Sequence, residues 1–165
     1  RNKNFASLLL DPSKPLFNRA LKAPYPPGST FKTVQALIGL QEGVLTPDTK
    51  YPCHGGYHMG SITVGCHAHG SPLDLKNSIT KSCNAYYCFV YRSILDNPKY
   101  GSVQIAYSKW AKYLNSFGIG INTGIDLPEE SGGIVKKPSW FEPNLKYYPR
   151  TKFEFNLIKF LMRLS

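Results

Sequence analysis

Ser29 and Lys32 stand three residues apart in Pro26-Pro27-Gly28-Ser29-Thr30-Phe31-Lys32, where a proline- and glycine-fixed loop runs into an apolar-periodic segment. On a helix that spacing puts both side chains on one face of the same turn. A serine hydroxyl attacks poorly until a neighbour accepts its proton, and a lysine amine can do so once desolvation or nearby positive charge lowers its pKa. The pair has the makings of an activated nucleophile, placed where orphan N–H groups and the helix macrodipole favour developing negative charge. The same serine could act only as a helix N-cap. Spacing alone does not choose, since residue frequencies give about one chance S-x-x-K in a chain of this size. Ser78-Ile79-Thr80-Lys81 is a second copy.

Two more constellations could do chemistry. Ser82-Cys83-Asn84 is the only S-x-N in the sequence. Cys53, Cys66, His67 and His69, with His54 and His58 nearby, precede it, and Cys83 sits inside it. Outside the cytosol, Cys53 and Cys66 could form a disulfide across a hairpin. Alternatively, three thiolates and one imidazole could hold a tetrahedral zinc ion, which gives Cys83 a role as well. Such a metal is structural, because a catalytic zinc needs an open position and an activated water, and Ser29 already offers a nucleophile. Held through Cys83 on one side of an irregular turn, Ser82 and Asn84 would face a cleft on the other. Cys88 lies in an apolar segment and reads as a small buried hydrophobe.

In this order, P-P-G-S-T-F-K and Lys81-Ser82-Cys83-Asn84-Ala85-Tyr86-Tyr87 resemble the penicillin-binding protein and serine β-lactamase superfamily, whose signature set is S-x-x-K, S-x-N and K-T-G. The specific likeness is to class B penicillin-binding proteins of the cell-elongation type. It spans roughly Asp11 to Pro128 and includes Pro15-Leu16-Phe17-Asn18-Arg19-Ala20 upstream, with Phe117-Gly118-Ile119-Gly120 and Thr123-Gly124-Ile125-Asp126-Leu127-Pro128 downstream. No K-[ST]-G occurs; Asn122-Thr123-Gly124 belongs to the T-G-I-D-L-P element. After Pro138 the likeness stops, and Lys146 to Phe155 lacks the expected glycine-rich segment. The resemblance therefore implies an α+β fold of which this chain holds mainly the helical portion, with a small hairpin and the flanking sheet strands largely missing. It would be a single partial transpeptidase domain: 1–27 a loop leading to the nucleophile, 28–128 a motif-bearing helical core, and 129–165 an atypical tail.

The resemblance further implies a D,D-transpeptidase that cross-links peptidoglycan stem peptides and is a target of β-lactams. Ser29 would attack the penultimate D-alanine carbonyl and form an acyl-enzyme that an amine of a neighbouring strand resolves. Lys32 would be the base, Ser82 would relay a proton to the leaving nitrogen, and Asn84 would hydrogen-bond Lys32 and the substrate amide. The Ser29 N–H would supply half of an oxyanion hole. The other half belongs to the K-T-G strand, so the alternative is a catalytically inactive helical binding or scaffold module with a structural zinc or disulfide. Some elongation-type relatives carry zinc between these motifs with one ligand inside S-x-N, which by position implies Cys53, Cys66, His69 and Cys83 as ligands. Gly70 favours His69, since the relatives' imidazole precedes a glycine; His67 is the alternative. No cofactor would be needed for catalysis itself. Elongation-complex membrane proteins are implied as partners, and the catalytic domain would be periplasmic on an inner-membrane anchor outside this chain.

The elements that must position these groups follow from periodicity. Phe31, Val34, Leu37, Ile38 and Leu40 predict a helix behind Ser29 that Gly43 stops. Gly60-Ser61 predicts a turn between Tyr57-His58 and Ile62-Thr63-Val64. Ser71-Pro72 predicts an N-cap opening a helix toward Lys81. Ala85 to Leu95, apolar nearly all round, predicts a buried central helix, and another is expected from about Ser102 to Phe117 with Gly118 ending it. At 165 residues, 42% hydrophobic and 18% charged, the chain suits one globular unit. Its net charge of +10 comes from scattered lysines and arginines without a groove-reading motif or finger spacing. A solvated surface is expected, and no nucleic-acid partner. No apolar run reaches the roughly 18–20 residues of a membrane helix.

Overall fold

Lys32 and Gln35 occupy the inward face of the helix that follows Ser29. The computed structural model describes residues 2–59 and 62–137. Its helices are α1 (Asn2–Leu10), α2 (Arg19–Lys22), α3 (Phe31–Gln41), α4 (Leu75–Thr80), α5 (Asn84–Leu95) and α6 (Val103–Ser116). A hairpin of β1 (Gly56–Met59) and β2 (Ile62–Gly65) completes the set. The mainly helical α+β architecture is thus the one expected, and among the described residues the sheet has two strands. Among the described residues no helix is long and apolar enough to cross a membrane.

On α3 the buried positions are Phe31, Lys32, Gln35, Ala36, Ile38 and Gly39, whereas Leu37 and Leu40 are exposed. Apolar character alone misplaces this face. Gln35 goes inward because its Oε1 accepts the Trp110 indole N–H at 3.0 Å, and Lys32 because it serves the site described below. Gly43, with φ +70, follows the helix as expected.

α5 is the central helix its composition predicts, buried at Ala85, Tyr86, Tyr87, Cys88, Val90, Tyr91, Ile94 and Leu95. It packs on α3 at Gly39, where an added Cβ would lie 2.8 Å from Val90 Cγ1 and 3.2 Å from the Leu45 side chain. Glycine inside a helix is ordinarily unfavourable, so its presence here reflects close approach. Gly39→Ala is expected to cost about 1–3 kcal/mol by overpacking, read by urea unfolding. Unchanged stability would mean the two helices separate freely.

α6 closes the core with Ala106, Tyr107, Trp110 and Leu114, and Trp110 meets Phe31 and Tyr91 edge-on at centroid distances of 6.2 and 5.3 Å. Its N-cap is Ser102, whose Oγ accepts from the Ile105 N–H. In the hairpin, Tyr57 pairs with Val64 and His58 with Thr63. The expected Gly60-Ser61 turn lies outside the described residues.

Two expectations are corrected. The helix toward Lys81 begins at Leu75, not at Pro72: Leu73 is held in an isolated bridge with Tyr51, and Asp74 is the N-cap, accepting from the Asn77 N–H at 2.8 Å. The segment before Ser29, expected as loop over 1–27, is not all loop, since it carries α1 and α2. Between them the Arg19 guanidinium donates to the carbonyls of Ser13 at 2.6 Å and Lys14 at 3.2 Å, which fastens the turn leading into α2.

Candidate active site

Gly28, at φ +76, turns the chain into a short 3-10 turn, Gly28–Thr30, that runs directly into α3. Thr30, not Ser29, holds the N-cap position of α3, without a side-chain capping bond. The N-cap alternative for Ser29 is thereby removed. The Ser29 hydroxyl instead accepts from Lys32 Nζ at 3.2 Å and from Ser82 Oγ at 3.0 Å. Lys32 also donates to Ser82 Oγ at 2.8 Å and to the Ser82 carbonyl at 2.6 Å. Three side chains from two motifs thus close a triangle. Ser29 is exposed and reachable, whereas Lys32 is only 6% exposed.

Burial pushes the Lys32 ammonium below the usual lysine range, against the opposing negative potential of Cys66, Cys83 and Cys88. The direction is the one a base needs. Ser82 can offer both its hydroxyl and its carbonyl to one amine because its backbone is left-handed, with φ +50. For a non-glycine residue this is a strained conformation, of the kind found at functional sites.

After Ser82, Cys83 adopts an extended conformation, φ −70 and ψ 115, and its Sγ accepts from the Tyr86 N–H at the start of α5. The turn therefore sends Ser82 Oγ toward Lys32 and Cys83 Sγ the other way, toward Cys66. Asn84 does not pair with Lys32. Its Nδ2 donates to the Gly65 carbonyl at 2.8 Å, which ties the amide to the end of β2. The second S-x-x-K is structural: Ser78 is fully buried, donates to Leu75 O and Tyr87 OH, and has no bond to the exposed Lys81.

Behind this turn Cys53, Cys66, His69 and Cys83 each offer one ligand atom, all within 4.8 Å of one another. His67 is outside the group, and His58 bonds Thr63 on the hairpin instead. Two observations bear on a metal. A tetrahedral ion with sulfurs at about 2.3 Å needs them roughly 3.8 Å apart, and Cys66 Sγ and Cys83 Sγ are 3.8 Å apart. His69 Nδ1 lies 2.7 Å from the Gly70 carbonyl, while its buried Nε2 finds no hydrogen-bond partner. Donation from one ring nitrogen to a carbonyl leaves the lone pair on the other, the arrangement of metal-ligating histidines.

All four cysteines are free. The Cys66 thiol is lowered to about 4, first through its hydrogen bond with Cys83 and, after a desolvation penalty, through the Ala85 N–H; Cys83 is correspondingly raised. Their mutual hydrogen bond thus favours the thiolate on Cys66 over Cys83.

The structure brings Ser29, Lys32 and Ser82 together as the sequence reading expected, and adds two backbone groups that the reading did not name, the carbonyls of Ser82 and Gly65. No residue type signals them, because any residue has a carbonyl.

A family profile described as penicillin-binding protein transpeptidase domain matches residues 1–151. The likeness therefore runs past Pro138, where the sequence was expected to leave the family. The chain is 31% identical over 144 residues to the peptidoglycan D,D-transpeptidase MrdA of Acinetobacter baumannii, covering 84% of this chain and 20% of that protein. It is 29% identical over 154 residues to MrdA of Escherichia coli K12, covering 88% and 22%. The chain spans about a fifth of the length of these curated relatives. Among solved structures, penicillin-binding protein PBP2 of Helicobacter pylori superposes with a TM-score of 0.74 at 24% identity, over 98% of this chain and 29% of that one. With the family match running over residues 1–151, the chain belongs to the transpeptidase domain family of the penicillin-binding proteins.

Proposed function

We propose that this chain carries the nucleophile and base of a serine peptidoglycan D,D-transpeptidase, acting on stem peptides and acylated by β-lactams. The observation that supports it most is the triangle of Ser29, Lys32 and Ser82, with an exposed hydroxyl on a shielded amine. Lys32, once neutral, takes the Ser29 proton as Oγ attacks the penultimate D-alanine carbonyl. Ser82, bonded to both, passes a proton to the leaving D-alanine nitrogen. The Ser29 N–H faces the developing oxyanion. Asn84, anchored on Gly65, is left to hold the substrate amide through its side-chain oxygen.

Cys53, Cys66, His69 and Cys83 are proposed to hold a structural zinc ion, which would fix the turn presenting Ser82 and Asn84 and take no part in the chemistry. The whole protein is proposed to work in the periplasm beside elongation-complex membrane proteins, as the resemblance to elongation-type penicillin-binding proteins implies.

The test is labelling of the full-length protein with a fluorescent penicillin, followed by peptide mapping. The adduct is expected on Ser29 and lost in Ser29→Ala; an adduct elsewhere would refute the assignment. Because this chain has no K-[ST]-G, and an absent oxyanion donor alone costs roughly 10²–10³ in rate, the chain by itself is expected to label at least about 10²-fold more slowly than the full-length protein. Equal rates would support a complete site within residues 1–165, and no label even on the full-length protein would favour the inactive scaffold.

A further inference from the structure

Of the three clustered cysteines, Cys53 and Cys83 are buried, at 7% and 1% exposure, whereas Cys66 is only half-buried. A dissolved reagent therefore meets Cys66 first. The Cys66 sulfur accepts the Asn84 N–H at 3.1 Å and the Ala85 N–H at 3.2 Å, and the Cys83 sulfur accepts the Tyr86 N–H at 3.3 Å. Both sulfurs are thus pinned against the first turn of α5, 3.8 Å from each other. Zinc bound as proposed would occupy them. Without it, two thiols face one another directly behind Ser82.

We propose that Cys66 and Cys83 form a reversible disulfide when no metal holds them, and that this bond disarms the turn carrying Ser82. The inference rests on the metal reading only for its protected state. The co-reactant is a disulfide, either a small one such as glutathione disulfide or an exposed one on a protein thiol oxidase. Cys66 sulfur attacks one sulfur of that disulfide, whose S–S bond breaks; the departing half leaves as a thiolate and takes up the Cys66 proton. Cys83 sulfur then attacks Cys66 sulfur in the mixed disulfide, releasing the second half, which takes up the Cys83 proton. Two protein thiols are oxidised and one disulfide is reduced to two thiols.

The consequence is positional. Closing the pair from 3.8 Å to the about 2.05 Å of an S–S bond draws Cys83 toward β2, and Ser82 precedes it directly. Lys32 is held by the Ser82 carbonyl at 2.6 Å and hydroxyl at 2.8 Å, and a misplacement of about 1 Å at such a site can cost about 10²-fold in rate.

The experiment uses the full-length protein, zinc-loaded or chelator-treated, incubated with glutathione disulfide. Remaining thiols are alkylated, cross-linked peptides are mapped by mass spectrometry, and zinc content and fluorescent-penicillin labelling are read on the same samples. Chelated protein is expected to yield the Cys66–Cys83 cross-link and a loss of about 10²-fold in labelling rate, both reversed by dithiothreitol, while zinc-loaded protein keeps its thiols. Cys53→Ser should retain the cross-link and Cys83→Ser abolish it. A Cys53–Cys66 cross-link, a bare glutathione adduct on Cys66, or a Cys66–Cys83 bond that leaves labelling unchanged would overturn the proposal. Zinc absent from every sample would sink the metal reading alone, and the cross-link is then expected in untreated protein too.

Discussion

Lys32→Ala is expected to slow β-lactam acylation of the full-length protein by about 10²–10⁴-fold, the usual contribution of a positioned general base. The amine touches Ser29 Oγ, Ser82 Oγ and the Ser82 carbonyl at once, so its removal takes away the proton acceptor and the group that spans the two motifs. Ser82→Ala should cost less, because Lys32 keeps its contact with Ser29 and with the Ser82 carbonyl. The pH dependence follows from the same burial. Only the neutral amine can accept a proton, and burial holds Lys32 below the ordinary 10.5; acylation should therefore rise with pH and level off through an inflection below that value. Stopped-flow acylation across pH measures both effects. A Lys32→Ala rate within threefold of wild type, or a rate falling with rising pH where Lys32 deprotonates, would remove Lys32 from the base role.

The second large effect is expected from the ligand cluster. Zinc at a thousandfold excess over its dissociation constant stabilises by about 4 kcal/mol, which in a domain of this size corresponds to roughly 8–16 °C in melting temperature. Chelation should remove that increment. Cys66→Ser should give much the same loss, and chelating the variant should add little, since both act on one equilibrium. Calorimetry together with elemental analysis decides: a melting temperature indifferent to chelator, with no zinc bound, would leave the four ligand atoms as a thiol cluster without a metal.

The three longest core helices were legible because their signals are local. Gly43 and Gly118 mark helix ends, Ser102 caps α6, and Ala85 to Leu95 is too apolar to lie anywhere but inside. The inward face of α3 was not legible. Lys32 and Gln35 are buried because of partners on other elements, Ser82 and Trp110, and no window around α3 contains them. The start of α4 was misjudged for a related reason, since the Leu73 bridge to Tyr51 joins residues far apart in sequence. At the site, residue types and order were enough to group Ser29, Lys32 and Ser82; His69 was preferred to His67 through the family resemblance, and His69 is the one whose ring nitrogen lies with the three sulfurs. Types and order were not enough to place Asn84, whose amide goes to a main-chain carbonyl.

The bond from Lys32 to Ser82 spans 50 residues, and what intervenes is the rest of α3, the hairpin, α4 and the turns that join them. Formation of the Ser29–Lys32–Ser82 triangle is therefore a loop-closure event, whose entropic cost precedes any reward from the contact itself. The longest described helix has 14 residues, and helices this short depend on packing for their stability, so Ser29 and Lys32 are expected to meet Ser82 only as α5 docks on α3. The triangle is therefore expected to form late in folding, and substitutions within it are expected to speed unfolding while leaving the folding rate nearly unchanged.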